Sequence, residues 1–465
     1  MSALDPHGLR LAAPAPERAV AFTFEGRTLH GVEGEPVAVA LHAQGVHVLG
    51  RSMRHRRPRG LHCVADACPS CTMRVNGLPG VTTCVAPLRA GDRVERERGA
   101  PNADRDVLGG LDRVSALAPV GFQYRRFRRS PRMYARWERM LAHLAGTGAL
   151  PEPAAARAVA AGARFDVVSV DVAVVGGGPA GLAAALAAAR AGARVMLVER
   201  GAELGGSLLD AAAPAERARA RGLALAVAGE PGIAAQTGAT AIGWYAEGVL
   251  GVVCDGGLIE LRAGAVVLAS GAHERPLAFP ENDRPGVLLG GGVRRLLHRH
   301  ELRPGRRVVV VANEDSGYRL AAELADRGVD VPAVADARPG EAAVAAGLRA
   351  RGIEVLAATT VRAARGRTAV RGVDLVTGGG ADRAVACDTI AVANGRRPAR
   401  ELLLQRAAVG GLALRVPDGL ADGGADPAVP AAPGWWLAGA VAGATELADA
   451  LEAGTAAGRA AGARG

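Results

Sequence analysis

Four of the chain's six cysteines fall within 22 residues, spaced Cys63-x4-Cys68-x2-Cys71-x12-Cys84, while Cys254 and Cys387 stand far apart. A triplet of thiols on one tight loop, completed by a fourth from a neighbouring strand, is the spacing of a 2Fe-2S centre. Ala65, Ala67, Pro69 and Ser70 are small, so backbone N–H groups can approach the cluster sulfurs and stabilise the reduced charge. A structural zinc would present two close pairs, and disulfides are disfavoured in a reducing compartment. His62 adjoins the first ligand, but four cysteines already complete the set, which leaves it as a solvated loop histidine. Cys254 and Cys387 read as small buried hydrophobes.

A second group of residues is built for phosphate. A strand Val172 to Val175 runs into Gly176-Gly177-Gly178-Pro179-Ala180-Gly181, then an Ala/Leu helix, a strand Val195 to Val198 and Glu199. In this fingerprint Gly176 makes the turn, Gly178 admits a pyrophosphate to the helix N-terminus, Gly181 packs helix on strand, and Glu199 takes the ribose hydroxyls. Glu199 argues against a 2′-phosphate, although Arg200 is beside it; Gly206 follows in the next loop. Further on, Ser270-Gly271 and Gly439-Ala440 each end a strand and are expected to touch the same nucleotide. A second strand-helix unit starts at Arg306, but its loop Asn313-Glu314-Asp315-Ser316-Gly317 carries two carboxylates that would repel a pyrophosphate. That unit is expected to keep the fold without tight NAD binding. The sequence identifies no catalytic side chain.

These residues must be positioned by more than one core, since 465 residues suggest about three domains. Ala19 to Phe24, Glu25-Gly26 and Arg27 to Val32 read as a hairpin, Pro36 to Gln44 as a helix, and Thr72 to Val75 with Val81 to Val85 as a second hairpin around Asn76-Gly77. Together they predict a small β-grasp domain at 18–98. A Pro/Arg/Ala linker with a packed helix follows at 99–168. Alternating strands and helices then imply parallel sheets: a dinucleotide domain at 169–290 and 386–465, interrupted by a second Rossmann domain at 291–385.

Composition narrows the function. With 49% hydrophobic and 22% charged residues the chain is globular, and no apolar run reaches the ~18 residues of a membrane span. The N-terminus lacks a signal-peptide pattern, so a cytoplasmic location is expected. There is no lysine, and the charge is uneven: residues 1–140 hold 22 Arg against 13 acids. With 3% aromatics, nucleic-acid binding is disfavoured. The runs Arg54 to Arg59 and Arg125 to Arg129, with the aromatic cluster Phe122 to Trp137, are expected to form a contact surface for an acidic partner.

Three segments carry a family resemblance: the basic stretch Gly50 to Gly60, Gly271-Ala272-His273-Glu274-Arg275-Pro276 followed by Asn282 to Val287, and Asn313 to Tyr318. They are similar to the α subunits of heterotetrameric sarcosine oxidase, hydrogen cyanide synthase, opine oxidases and multi-subunit proline and hydroxyproline dehydrogenases. The resemblance implies a two-dinucleotide-binding-domain flavoprotein of the glutathione and thioredoxin reductase type, with an N-terminal 2Fe-2S ferredoxin-like domain. It stops short of the folate-binding half of sarcosine oxidase, so formaldehyde transfer is not implied. The superfamily ends its last motif in Gly-Asp, where the Asp holds the flavin ribityl chain; here Ala440 stands in that place. Its redox disulfide also has no counterpart. The implied cofactors are a 2Fe-2S cluster and FAD, with NAD or ATP as alternatives in the first Rossmann unit and FMN at an interface between subunits. The implied role is an electron-transferring subunit beside a D-amino-acid-oxidase-like β subunit that oxidises a small amine or amino acid. The alternatives are a self-contained NAD(P)H-dependent reductase and a non-catalytic iron-sulfur scaffold.

Overall fold

The computed structural model describes residues 3–463 except 54, 98, 100–101, 108–120, 122–126, 128, 146–149, 255, 341–342 and 411–425. Part of the expected aromatic and arginine surface, namely Arg54, Phe122, Tyr124, Arg125, Arg126 and Arg128, lies outside the described residues.

Alternation in Ala19–Phe24 turns Val20, Phe22 and Phe24 inward, and the strand pairs antiparallel with Arg27–Val32. The two-residue turn between them, Glu25-Gly26, has φ of 48° and 78°, the conformation that follows the right-handed twist of paired strands. Asn76-Gly77 repeats this device between Thr72–Val75 and Leu78–Thr82. With Arg93–Glu95 as the central strand, the sheet order is 27–32, 19–24, 93–95, 72–75, 78–82. The helix Val37–Ala43, buried at every residue, completes the β-grasp. The second hairpin ends at Thr82, so Cys84 stands in the turn after it and not in a strand.

The chain divides into two compact units, Met1–Arg157 with Pro276–Asn394, and Ala158–Arg275 with Gly395–Gly465. In the second unit, Arg164–Val175 and Gly257–Leu268 run parallel side by side along their whole lengths. The sequence shows only their buried C-terminal ends, because the N-terminal half of Arg164–Val175 is largely exposed and that of Gly257–Leu268 buries only Ile259 and Leu261. The helix Leu447–Gly462 packs closely on Pro179–Arg190: a Cβ at Gly454 or Gly458 would lie 2.1 or 2.2 Å from the carbonyl oxygens of Ala180 or Ala184.

In the first unit five parallel strands form the inserted nucleotide sheet, in the order Val287–Leu289, Thr389–Ala393, Val308–Ala312, Ala333–Asp336, Glu354–Leu356. The crossings expected at 290/291 and 385/386 therefore move to 275/276 and 394/395, since the strands at 287–289 and 389–393 are neighbours in this sheet. The β-grasp is also not a separate core. Phe22, Phe24, Leu41 and Leu49 belong to one hydrophobic cluster with Leu288, Val293, Leu297 and Leu324. The Arg54 to Arg59 run is corrected as well: Arg56 is buried and grips Asp106 through Nε and Nη2 at 2.6 and 3.0 Å, while Arg59 meets Asp283 at 2.9 Å. Both cations are engaged within the unit rather than displayed to a partner. Among the described residues, no helix is long and apolar enough to cross a membrane.

His42 lies inside this shared core, with Nε2 3.0 Å from the Arg303 carbonyl oxygen. Burial, reinforced by His47, lowers its pKa to about 4 despite the Arg303 carbonyl and Asp388. An unfolded chain would protonate it near pH 6.5, so the neutral native form stabilises fully above that pH and loses its contribution as pH falls toward 4. Acidification across this window should cost up to about 3 kcal/mol. Urea unfolding at pH 7 and pH 4.5 should show a smaller pH dependence in His42→Gln than in the wild type; equal slopes would remove His42 as the cause.

Candidate functional site

The cysteine loop uses backbone that side chains rarely adopt. Val64 and Asp66 both have φ of 52°, costly above all for β-branched valine. The resulting fold turns N–H groups inward: Asp66 N–H donates to Cys84 Sγ and Ala67 N–H to Cys63 Sγ, each at 3.4 Å. Cys68 and Cys63 sulfurs are 3.3 Å apart, and hydrogen bonds continue from Cys63 to Cys84 and from Cys84 to Cys71. The four expected ligands are thus brought together in one row of contacts, 68 to 63 to 84 to 71. No three or more Cys, His, Asp or Glu among the described residues converge as the site of one metal ion. Four thiols joined in a row, with no three of them set around one point, suit the two irons of a 2Fe-2S centre better than a single zinc.

Protonation states follow from this crowding. The bond with Cys63 lowers the Cys84 pKa, but the bond with Cys71 and burial outweigh it and push it up to about 12. Cys68 is raised by its bond to Cys63 and by burial, whereas Cys71 is lowered by its bond with Cys84. Ligation requires thiolates, so metal binding here displaces protons. Cys387 is buried and its thiol is pushed up to about 12 by burial, whereas Cys254 is only half-buried, its thiol 3.8 Å from the Gly257 carbonyl oxygen.

Several groups that hold the loop were not legible in the sequence. Thr83, fully buried, donates its Oγ1 proton to the Cys71 carbonyl at 2.5 Å. His62 is not a solvated loop residue: it is half-buried, with Nδ1 2.9 Å from the Val287 carbonyl, while its own carbonyl accepts from Leu289 N–H at 2.9 Å. Its partners lie more than two hundred residues away, and no local pattern announces them.

The phosphate cradle forms in the other unit. Gly176 has φ of 109°, and a Cβ on Gly181 would sit 1.8 Å from its carbonyl oxygen, so helix and turn pack as the fingerprint requires. In front of Gly178 the space is open, the nearest atom to an added Cβ being the Gly206 Cα at 4.0 Å. Glu199 accepts from Gly177 N–H at 2.6 Å and Gly201 N–H at 2.5 Å, one on each carboxylate oxygen. Each oxygen keeps a lone pair for a ribose hydroxyl. Pro179 opens the helix, and Gly439 lies against Ala180, so these residues share the rim. Ser270 donates to the Ala399 carbonyl at 2.6 Å and Gly271 accepts from Ala399 N–H at 3.0 Å, which gives them a bracing role between the two crossover segments. Arg200 is exposed at the end of its strand. This set fits the adenosine diphosphate half of FAD, whereas Ala440 offers the ribityl half backbone groups alone.

In the inserted unit, the acid that ends the second strand is already engaged. Asp336, fully buried, accepts from Tyr318 Oη and from Arg338, each at 2.7 Å, and Arg338 also reaches Asp315 at 2.8 Å.

Comparison with known proteins finds a matching domain around each set of residues. Residues 17–99 match the 2Fe-2S iron-sulfur cluster binding domain, and residues 170–450 match the pyridine nucleotide-disulphide oxidoreductase model. The chain belongs to the pyridine nucleotide-disulphide oxidoreductase family, and it carries sites for a 2Fe-2S cluster and FAD. Among its relatives is the alpha chain of the sarcosine oxidase of Rhizobium meliloti, 34% identical over 413 residues, covering 83% of this chain and 41% of that protein. The corresponding Corynebacterium sp. (strain P-1) protein is 33% identical over 367 residues, 74% of this chain and 33% of its own length. A component of the opine oxidase of Agrobacterium tumefaciens is 31% identical over 176 residues, 34% of this chain and 35% of that one. The chain therefore spans less than half the length of these relatives. In fold it is similar to L-proline dehydrogenase from P. horikoshii, with a TM-score of 0.64 and 23% identity over 96% of this chain and 74% of that one.

Cys68→Ser should abolish the visible and EPR signals of the cluster while leaving bound nucleotide, because the cradle belongs to another unit; nucleotide lost in parallel would contradict this. Gly178→Val should do the reverse, since its branched side chain would fill the open space at the helix N-terminus. Nucleotide released on denaturation should fall at least tenfold with the iron content unchanged.

Proposed function

We propose that this chain is the electron-transferring FAD and 2Fe-2S subunit of a multi-subunit oxidase or dehydrogenase that oxidises a secondary amine or amino acid. The observation that carries the reading is the presence, in one chain, of a site of four contacting thiols and an open phosphate cradle. When bound, a flavin exchanges electrons in pairs or singly, and an iron-sulfur cluster exchanges them singly. Around them the chain's residues have defined tasks. Gly176, Gly178 and Gly181 let a pyrophosphate reach the helix N-terminus, and Glu199 orients the ribose. Asp66 and Ala67 amides hold the sulfurs, and the buried flank at Cys63 keeps water from that side of the cluster.

A substrate site is assigned to a partner, a β subunit resembling D-amino-acid oxidase, and the soluble interior of the cell is the expected location. The relatives are named as subunits of sarcosine and opine oxidases, which supports a complex. The self-contained NAD(P)H reductase is disfavoured because Asp336, placed where an acid would meet a ribose, is held by Tyr318 and Arg338. The isolated chain should therefore oxidise no amine, and turnover should appear when the partner encoded or purified with it is added. Full-rate amine oxidation by the chain alone would refute the subunit reading; rapid reduction by NADH would favour the reductase.

A further inference from the structure

The helix Gly290–Arg294 follows directly from the strand Val287–Leu289 and continues as one π-helical turn, Arg295–Arg299. Such turns redirect side chains and recur at functional sites. Here consecutive arginines go to different places. Arg294 donates to Glu323 through Nε and Nη2, both at 3.0 Å, and His298 joins the same carboxylate at 3.1 Å, which fixes the helix to its neighbour. Arg295 donates Nη1–H to the carbonyl of Cys63, 3.3 Å away. The contact is close because Gly292 has no side chain: a Cβ there would lie 2.8 Å from the His62 oxygen and 3.0 Å from that of Cys63. Leu289 and Val287 hold His62 on the same flank.

A half-buried guanidinium is thus fixed on the backbone of a cluster ligand. Reduction adds one electron to the cluster, so the reduced state is more negative and gains more from a nearby cation than the oxidised state does. We propose that Arg295 is the positioning residue through which the inserted nucleotide unit sets the reduction potential of the cluster, its guanidinium on Cys63 favouring the reduced form. The proposal rests on the reading of the four thiols as 2Fe-2S ligands.

The test is a potentiometric titration of the full chain with dithionite as electron donor, followed by EPR of the reduced cluster. At a fixed poise, Arg295→Gln should lower the ratio of reduced to oxidised cluster roughly tenfold, about 59 mV for a one-electron couple. Arg295→Lys, which keeps the charge, should stay close to the wild type. Arg295→His supplies a charge that comes and goes with pH, so its midpoint should rise as pH falls through the histidine range, more steeply than that of Arg295→Lys. This variant decides the matter if Arg295→Gln assembles no cluster. Equal midpoints in wild type and Arg295→Gln, or equal pH slopes in the His and Lys variants, would overturn the proposal. A wild-type chain without iron and sulfide would instead defeat the reading of the thiols.

Discussion

A cluster held by four thiolates concentrates negative charge in a place that must also be shielded from water, and every contact around Cys63–Cys84 answers that demand. The loop accepts left-handed backbone at Val64 and Asp66, of order 1–3 kcal/mol each, to aim N–H groups at sulfur. Each such bond returns only about 1 kcal/mol, so the loop needs further support. It comes from Thr83 on one side and from residues 287–295 on the other. Because the supports at 287–295 belong to a strand of the inserted sheet and the helix that follows it, the β-grasp and the second nucleotide fold share one core and form one unit.

The phosphate cradle solves a different problem by different means. Its charged residues are Glu199 and the adjoining Arg200, and the approach to the helix N-terminus is opened by missing side chains. Small residues also fix the surroundings, since Gly454 and Gly458 bring the last helix against the cradle helix at backbone distance. Within the inserted unit the acid that ends the second strand is engaged by its own neighbours, Asp336 with Tyr318 and Arg338, and Arg338 in turn with Asp315. A strand-helix-strand unit therefore appears twice, once with open space at Gly178 and once with an ion-paired acid after its second strand.

Local chemistry is readable in the sequence alone. Cysteine spacing, the glycine fingerprint, the two hairpin turns and the strand Val195–Val198 depend on residues adjacent in sequence; the structure forms the turns and that strand as read, with Cys84 two residues past its strand. What depends on distant pairing is not readable. His62 looks solvated because Val287 and Leu289 lie more than two hundred positions on, and the arginines around Arg56 look like surface because Asp106 and Asp283 are remote. The domain crossings are misplaced for a related reason: the strands at 287–289 and 389–393 carry the same apolar text as those of the other sheet, and only their pairing assigns them.

The most direct measurement of this account is the inorganic content of the wild-type chain purified without oxygen. Elemental analysis with labile-sulfide determination should give two irons and two sulfides per chain, matching the four thiols of Cys63, Cys68, Cys71 and Cys84 in mutual contact. One zinc and no sulfide per chain would contradict it.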